Sequence, residues 1–225
     1  MARFDGFAKN YEELVTESVQ ISGESSEYFA AYKAHYAARA LSGKNIKKAL
    51  DYGCGVGALA KHLRGTFPAT RIDGYDPSAE SIGCVEDSLR KQGQFTASLE
   101  ETHNDYDLVI LSNVLHHIPP QERGAVLAKT VSKLAAGGFL LIFEHNPFNP
   151  LTRWAVSQCP FDDDAILLRS GEARRRVRLA GLQLARSQFI VFFPRLLAAL
   201  RPLEPSLGWL PCGAQYAVIG VKPAA

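Results

Sequence analysis

The stretch K-K-A-L-D-Y-G-C-G-V-G-A-L-A-K-H-L, residues 47–63, decides how the rest of the chain is read. A short apolar run, A-L-D-Y at 49–52, enters glycines at alternate positions, Gly53, Gly55 and Gly57. A helical pattern begins at Ala58. Glycine lets backbone turn sharply and come close to a bound group. Strand, glycine turn and helix in that order predict a βα unit with a ligand seated at the turn.

Outward from this unit, short apolar strands keep alternating with helical patterns. Strands are predicted at 71–75, 95–98, 107–112 and 138–144, and helices at 58–63, 79–91 and 121–134. Such alternation predicts a parallel sheet with helices on both faces. Such sheets bind ligands at the carboxyl ends of their strands. The run D-L-V-I-L-S at 107–112 is apolar on both sides, as a central strand requires. Two further strands, at 184–193 and 215–221, have no crossover helix cleanly between them, so the last is expected to be antiparallel. Residues 1–45 read as a helical cap broken near 22–26.

The 225 residues fit one domain of 1–225, with a lid at 1–45, a core at 46–225, and inserts at 145–170 and 194–213. Apolar residues make up 47%, enough for a full core. The net charge of +2 gives no pull toward nucleic acid or an anionic membrane. Cys54, Cys84, Cys159 and Cys212 are widely spaced and form neither a disulfide framework nor a zinc pattern. The first ten residues lack an apolar signal region, and no apolar run is long enough to span a bilayer. The expectation is a cytoplasmic protein without stable membrane insertion.

The glycine turn alone fits a dinucleotide or S-adenosylmethionine. Asp51, two residues before Gly53, discriminates between them. A carboxylate there would repel a pyrophosphate and attract an ammonium group. Its structural alternative is a helix cap or a solvated acid. Asp76, in I-D-G-Y-D-P-S, can accept ribose hydroxyls of either cofactor or cap the next helix. A third run, Y-D-L-V-I-L-S-N-V-L-H-H-I at 106–118, ends a strand in Asn113 and continues into His116 and His117.

These motifs together resemble the class I S-adenosylmethionine-dependent methyltransferases of the small-molecule type. The match lies in L-D-Y-G-C-G-V-G at 50–57, G-Y-D-P-S at 74–78, D-L-V-I-L-S-N-V-L-H-H-I at 107–118 and L-A-A-G-G-F-L-L-I at 134–142, in the family's order and spacing. The resemblance implies a Rossmann-like doubly wound α/β sheet of seven strands, mostly parallel with the last antiparallel. It implies that Asp51, Gly53, Cys54 and Gly55 hold the methionine end of S-adenosylmethionine. It places Asp76 on the ribose, Pro77, Ser78, Ser98 and Leu99 by the adenine, and Asn113 with Val114 near the sulfonium. The product would be S-adenosylhomocysteine. Many relatives carry Asp or Asn where Ser98 and Leu99 stand. The place of Asn/Asp-Pro-Pro-Tyr, which marks methylation of exocyclic and glutamine amines, reads S-N-V-L here.

Methyl transfer is an in-line displacement that needs alignment and exclusion of water. A base is needed only for a hydroxyl or carbon acid. His116, His117 and His145 are the candidate bases; each has the alternative of a packed, hydrogen-bonded histidine. The run F-E-H-N-P-F-N-P-L-T-R-W at 143–154 follows a strand at the binding edge. Glu144, Asn146 and Arg153 are candidates for the acceptor pocket, against a rigid turn with Arg153 paired to Glu144. Tyr11 and Tyr28, with Phe29 and Lys33, would fold over the cofactor as a lid or pack as core. F-D-D-D at 161–164 reads as a helix N-terminus before A-I-L-L, and no metal site is expected. R-R-R-V-R at 174–178 reads as a solvated helix face. The apolar stretch at 192–211 reads as a packed helix or pocket cap, with a dimer face or a membrane-resting surface as alternatives. It keeps open an amphiphilic or lipid-linked acceptor.

The sequence thus predicts O-methylation of a small-molecule acceptor by a monomer or homodimer without nucleic acid. Carbon or nitrogen methylation of a quinone-like or amine metabolite, or non-catalytic cofactor binding, are the alternatives.

Overall fold

The computed structural model describes residues 11–224, with side chains from residue 14 onward except Phe161. Its frame is a seven-stranded sheet in the order β3-β2-β1-β4-β5-β7-β6. The strands are β1 (Lys48–Tyr52), β2 (Arg71–Tyr75), β3 (Phe95–Thr96), β4 (Tyr106–Ser112), β5 (Leu134–His145), β6 (Gln183–Ile190) and β7 (Gln215–Val221). Neighbours from β3 to β5 pair in parallel, and β7 runs antiparallel between β5 and β6. The expected sheet, with its antiparallel last strand, is the one observed.

Helices α1 (Tyr11–Ser18) and α2 (Ser26–Ala40) precede β1, and α3 (Ala58–Thr66) follows the glycine turn. The predicted helix over 79–91 is two short pieces, α4 (Ala79–Gly83) and α5 (Asp87–Arg90). Gly83 is a poor helix former, and Val85 turns into the core between the pieces. Helix α6 (Arg123–Ser132) leads to β5, and α7 (Pro150–Gln158) leaves it. Helix α8 (Ser170–Leu179) precedes β6 and carries R-R-R-V-R, whose Arg174, Arg175 and Arg178 are exposed as expected.

Side chains alternate across β4. Leu108 and Ile110 join a core beneath α2 and α3, while Val109 and Leu111 join one on the opposite face with α6 and α8. Two-sided burial leaves the strand ends at the carboxyl edge as the place for polar chemistry.

Two segments depart from expectation. The helix predicted at A-I-L-L is absent. Residues 160–162 form a 3₁₀ turn, and the chain runs extended to α8. Its backbone bonds go across rather than along: the Ile166 N–H donates to the His116 carbonyl at 2.8 Å, and the Tyr216 hydroxyl donates to that of Leu168 at 2.9 Å. The stretch at 192–211 is not a plain packed helix. It is a kinked 3₁₀ run, Arg195–Leu203, followed by the single turn α9 (Glu204–Leu207). Buried Glu204 pins it, accepting from the Tyr32 hydroxyl at 2.7 Å and the Phe192 N–H at 2.9 Å. Leu196 and Trp209 point outward. Among the described residues, no helix is long and apolar enough to cross a membrane.

Candidate active site

At the carboxyl edge a cavity of about 210 Å³ opens over the glycine turn. Gly53 and Gly55 follow β1, Asp76 and Pro77 follow β2, Asn113 and Val114 follow β4, and His145 ends β5. Val15 of α1, Val19 just after it, Phe29 of α2, and Ala155 and Val156 of α7 close it with apolar surface. Of the residues expected to form a lid, Phe29 lines this cavity, and the side chain of Tyr11 lies outside the described residues.

Gly53 has φ +80°, and a Cβ there would meet Val114 Cγ2 at 2.5 Å. Only glycine satisfies both constraints. Asp76 holds the turn shut: its carboxylate accepts from the Gly55 N–H and the Ser78 N–H, each at 2.9 Å. Ser78, not Asp76, caps α4 through the Ser81 N–H at 3.1 Å. Because Ser78 is fully buried in that role, it is removed from the predicted adenine wall.

Asp51 is 1% exposed, and neither carboxylate oxygen has a hydrogen-bond partner of normal geometry. Burial, and then the charge of Asp76, push its pKa up to about 7. Lys33 of α2 and the Ala60 amide work against that rise. Lys33 is itself buried and donates to Ser112 Oγ at 2.8 Å; burial lowers it to about 8. Asn113 sits at φ +59° with its buried Oδ1 unpartnered, on the cavity wall. A strained residue with an unsatisfied acceptor is a mark of a ligand site.

Cys54 contributes only backbone, because its buried thiol faces Gly55 O and Gly74 of β2. Leu99 belongs to the core with Tyr52 and Tyr106, and Ser98 hydrogen-bonds Glu100; neither lines the cavity. An apolar side chain and a self-satisfied hydroxyl both have better partners than a ligand.

The opposite wall is an imidazole cluster. The His116 ring centroid lies 4.1 Å from that of His117 and 5.1 Å from that of His145. Glu144, fully buried, joins His116 Nδ1 at 2.6 Å and accepts from the Leu115 N–H at 2.7 Å. Glu144 therefore positions His116 and is not an acceptor-pocket residue as predicted. Burial alone would lower the pKa of His116, but Glu144 and Asp162 raise it to about 9. Burial and then His116 lower His117 to about 3 and His145 to about 4. Burial is outweighed at Glu144 and Asp162 by His116, so both stay below the usual carboxylate range.

Two residues that sequence reading did not assign to the site complete the cluster. Asp162 Oδ1 lies 3.5 Å from His116 Nε2 and 3.3 Å from His117 Nε2. Arg123, fully buried, donates from Nε to the carbonyls of Leu115 and Ile118, each at 2.9 Å, and also reaches the Ile166 carbonyl and Glu172. It ties the histidine turn to the Asp162 segment. An arginine inside a helical pattern reads as surface, so nothing local announced it.

The loop at 145–150 is a clamp. Asn146 is fully buried and donates to the carbonyls of Pro211 and Gly213, at 3.1 and 2.8 Å. Asn149 caps α7 and donates to Cys212 O at 2.8 Å. Arg153 is exposed and lines neither this cavity nor the next, so Asn146 and Arg153 are both corrected. Two Asn-Pro steps fix the turn, and the amides go to backbone. Tyr28 lines a second, apolar cavity of about 90 Å³ beside the first. Val19, Phe29, His145, Ala155 and Gln215 face both.

This geometry agrees with known proteins. A methyltransferase-domain family model matches residues 25–196. Carboxy-S-adenosyl-L-methionine synthase of Psychrobacter arcticus is 28% identical over 52% of this chain and 48% of its own. Trans-aconitate 2-methyltransferase of Mycobacterium tuberculosis is 27% identical over 44% of this chain and 37% of its own. The chain thus matches half or less of the length of these curated relatives. Among solved structures, an S-adenosylmethionine-dependent methyltransferase from Archaeoglobus fulgidus superposes with TM-score 0.67 at 16% identity, over 88% of this chain and 95% of its own. Magnesium protoporphyrin IX methyltransferase from Synechocystis, with bound S-adenosylhomocysteine, gives TM-score 0.60 at 16% identity, over 92% and 85%. The buried, unpaired Asp51 and Asn113 suit a ligand bearing an ammonium and a sulfonium, and the chain belongs to the S-adenosylmethionine-dependent methyltransferases of class I.

Proposed function

We propose that the protein methylates an oxygen atom of a small, largely apolar acceptor. The observation that carries this reading is the shared wall between the cofactor cavity and the apolar cavity beside it, where His145 faces both. An acceptor with its apolar body in the second cavity would present its reactive end at His145. S-adenosylmethionine supplies an activated methyl group when bound. Asp51 would meet its ammonium, Lys33 would bring positive charge toward its carboxylate from behind Ser112, and Asp76 would meet its ribose. Val15, Val19, Phe29 and Val156 would exclude water, which competes for the methyl group and screens the charges. His145 would take the acceptor proton at a ring nitrogen.

Small acceptors are named for the relatives, trans-aconitate for one and magnesium protoporphyrin IX for another. Both support a small-molecule acceptor here. The apolar second cavity also supports an amphiphilic acceptor over a charged one.

The test is an acceptor screen with carbon-13 methyl-labelled S-adenosylmethionine, read by the carbon shift of the transferred methyl. An oxygen-bound label, with turnover cut at least tenfold in His145→Ala, is expected. Label on nitrogen or carbon would overturn the reading.

A further inference from the structure

We propose that His116, His117 and Asp162 form a binding site for one divalent cation of the zinc class, with an open position facing the cavity. The three candidate ligand atoms lie within 4.8 Å of one another. They come from two separate segments, the turn after β4 and the turn before α8, so they converge rather than splay.

The distances favour a metal over a proton. Asp162 Oδ1 is 3.5 Å from one Nε2 and 3.3 Å from the other. A charge-assisted N–H···O bond is shorter, about 2.7–2.9 Å. Zinc bonds of about 2.0–2.1 Å set tetrahedral ligand atoms about 3.3–3.4 Å apart. One oxygen nearly equidistant from two imidazole nitrogens is the edge pattern of such a polyhedron. Asp162 is more than nine-tenths buried, and that Oδ1 makes no hydrogen bond of normal geometry.

The surroundings are those of a built site. Glu144 at 2.6 Å from His116 Nδ1 orients the ring so that Nε2 points at Asp162. Carboxylate–histidine–metal arrays use this device. Arg123 and the Ile166 N–H lock the two ligand-bearing turns together. Three ligands leave a fourth position, and His116, His117 and Asp162 all line the cavity. A cation there would hold an acceptor hydroxyl or carboxylate by its oxygen and ease loss of the hydroxyl proton. That role, though not the site itself, rests on the oxygen-acceptor reading.

The test uses the full chain, stripped with a chelator, and titrated with cobalt(II) and then zinc. One equivalent of cobalt should give the intense visible absorption of a tetrahedral centre, and zinc should abolish it. His117→Ala and Asp162→Asn should each lose the absorption, and Glu144→Gln should weaken affinity about 10–100-fold. His62→Ala, at a partly buried histidine on α3 away from the cavity lining, should behave as wild type. Calorimetry with S-adenosylmethionine runs on every variant. No cobalt or zinc uptake by a wild type that binds S-adenosylmethionine overturns the metal site, as does unchanged uptake in both ligand variants. Metal uptake without S-adenosylmethionine binding would instead break the methyltransferase reading and leave the metal site standing.

Discussion

The two sides of the cavity handle buried polar atoms in opposite ways. On the cofactor side, both oxygens of Asp51, which is buried and not among the lining residues, and Oδ1 of Asn113 are left without hydrogen bonds. Behind the histidines, Glu144 is engaged at both oxygens and Arg123 donates to four groups. Unsatisfied buried atoms cost free energy and imply a missing partner, whereas saturated ones hold shape. The first side is prepared for a ligand to complete; the second satisfies Glu144 and Arg123 from within and leaves Asp162 Oδ1 open.

The largest expected effect falls behind the histidines. Glu144→Ala removes the partner of His116 and leaves the Leu115 N–H unpaired. Breaking a buried pair costs about 3–5 kcal/mol. Urea unfolding near neutral pH should show that loss, with Glu144→Gln recovering part of it by still accepting from Leu115. A loss under about 1 kcal/mol would mean that Glu144 does not hold this side together and would erase the contrast.

The cofactor side should carry the next effect, visible as pH dependence without ligand. The folded pKa of Asp51, about 7, lies above the ordinary carboxylate value of 3.8. Between these values the folded chain holds a proton that the unfolded chain has lost. Stability therefore falls as pH rises from about 4 to about 7, by at most on the order of 4 kcal/mol. Asp76 and Lys33 are the charged groups facing Asp51, and Lys33 stays protonated through this window. Asp51→Asn should flatten that slope and make the ligand-free protein more stable than wild type at pH 7.5. The same substitution should weaken S-adenosylmethionine about 10–100-fold in calorimetry, the worth of a buried hydrogen bond to a charged group. Improved stability with unchanged affinity would show that Asp51 is only a strained core acid.

The sides also differ in how far the sequence announced them. The β1 turn, Asp51, Asp76 and Asn113 lie in short motifs where strand, glycine and acid follow one another, so local pattern was enough. The sheet was legible for the same reason: β2 was predicted at its observed bounds. Asp162 and Arg123 were hidden because their partners lie far along the chain. Asp162 stands among acids that read as a helix start, and bonds from the Ile166 N–H to the His116 carbonyl and from Arg123 to the Ile166 carbonyl tie its segment to the histidine turn. Glu144, Asn146 and Arg153 were read as one polar loop facing a ligand. Yet strand alternation sends Glu144 inward, the Asn-Pro turn sends Asn146 to backbone carbonyls, and the first turn of α7 sends Arg153 to solvent. Polar residue type revealed the region but not the direction of each side chain.

The smallest expected effect tests whether the clamp behind His145 belongs to either side. Asn149 caps α7 through the Thr152 N–H at 3.0 Å and holds Cys212 O at 2.8 Å. Replacing a helix cap by alanine costs about 1 kcal/mol. Asn149→Ala should lower stability by that amount and leave S-adenosylmethionine affinity unchanged, because Asn149 lines the second cavity and not the first. Its kinetic effect should fall on the KM for the acceptor, since α7 supplies Leu151 and Ala155 to the apolar chamber. A fall in cofactor affinity would show that the clamp is coupled to the glycine turn through the shared wall, and that the two sides are not independent.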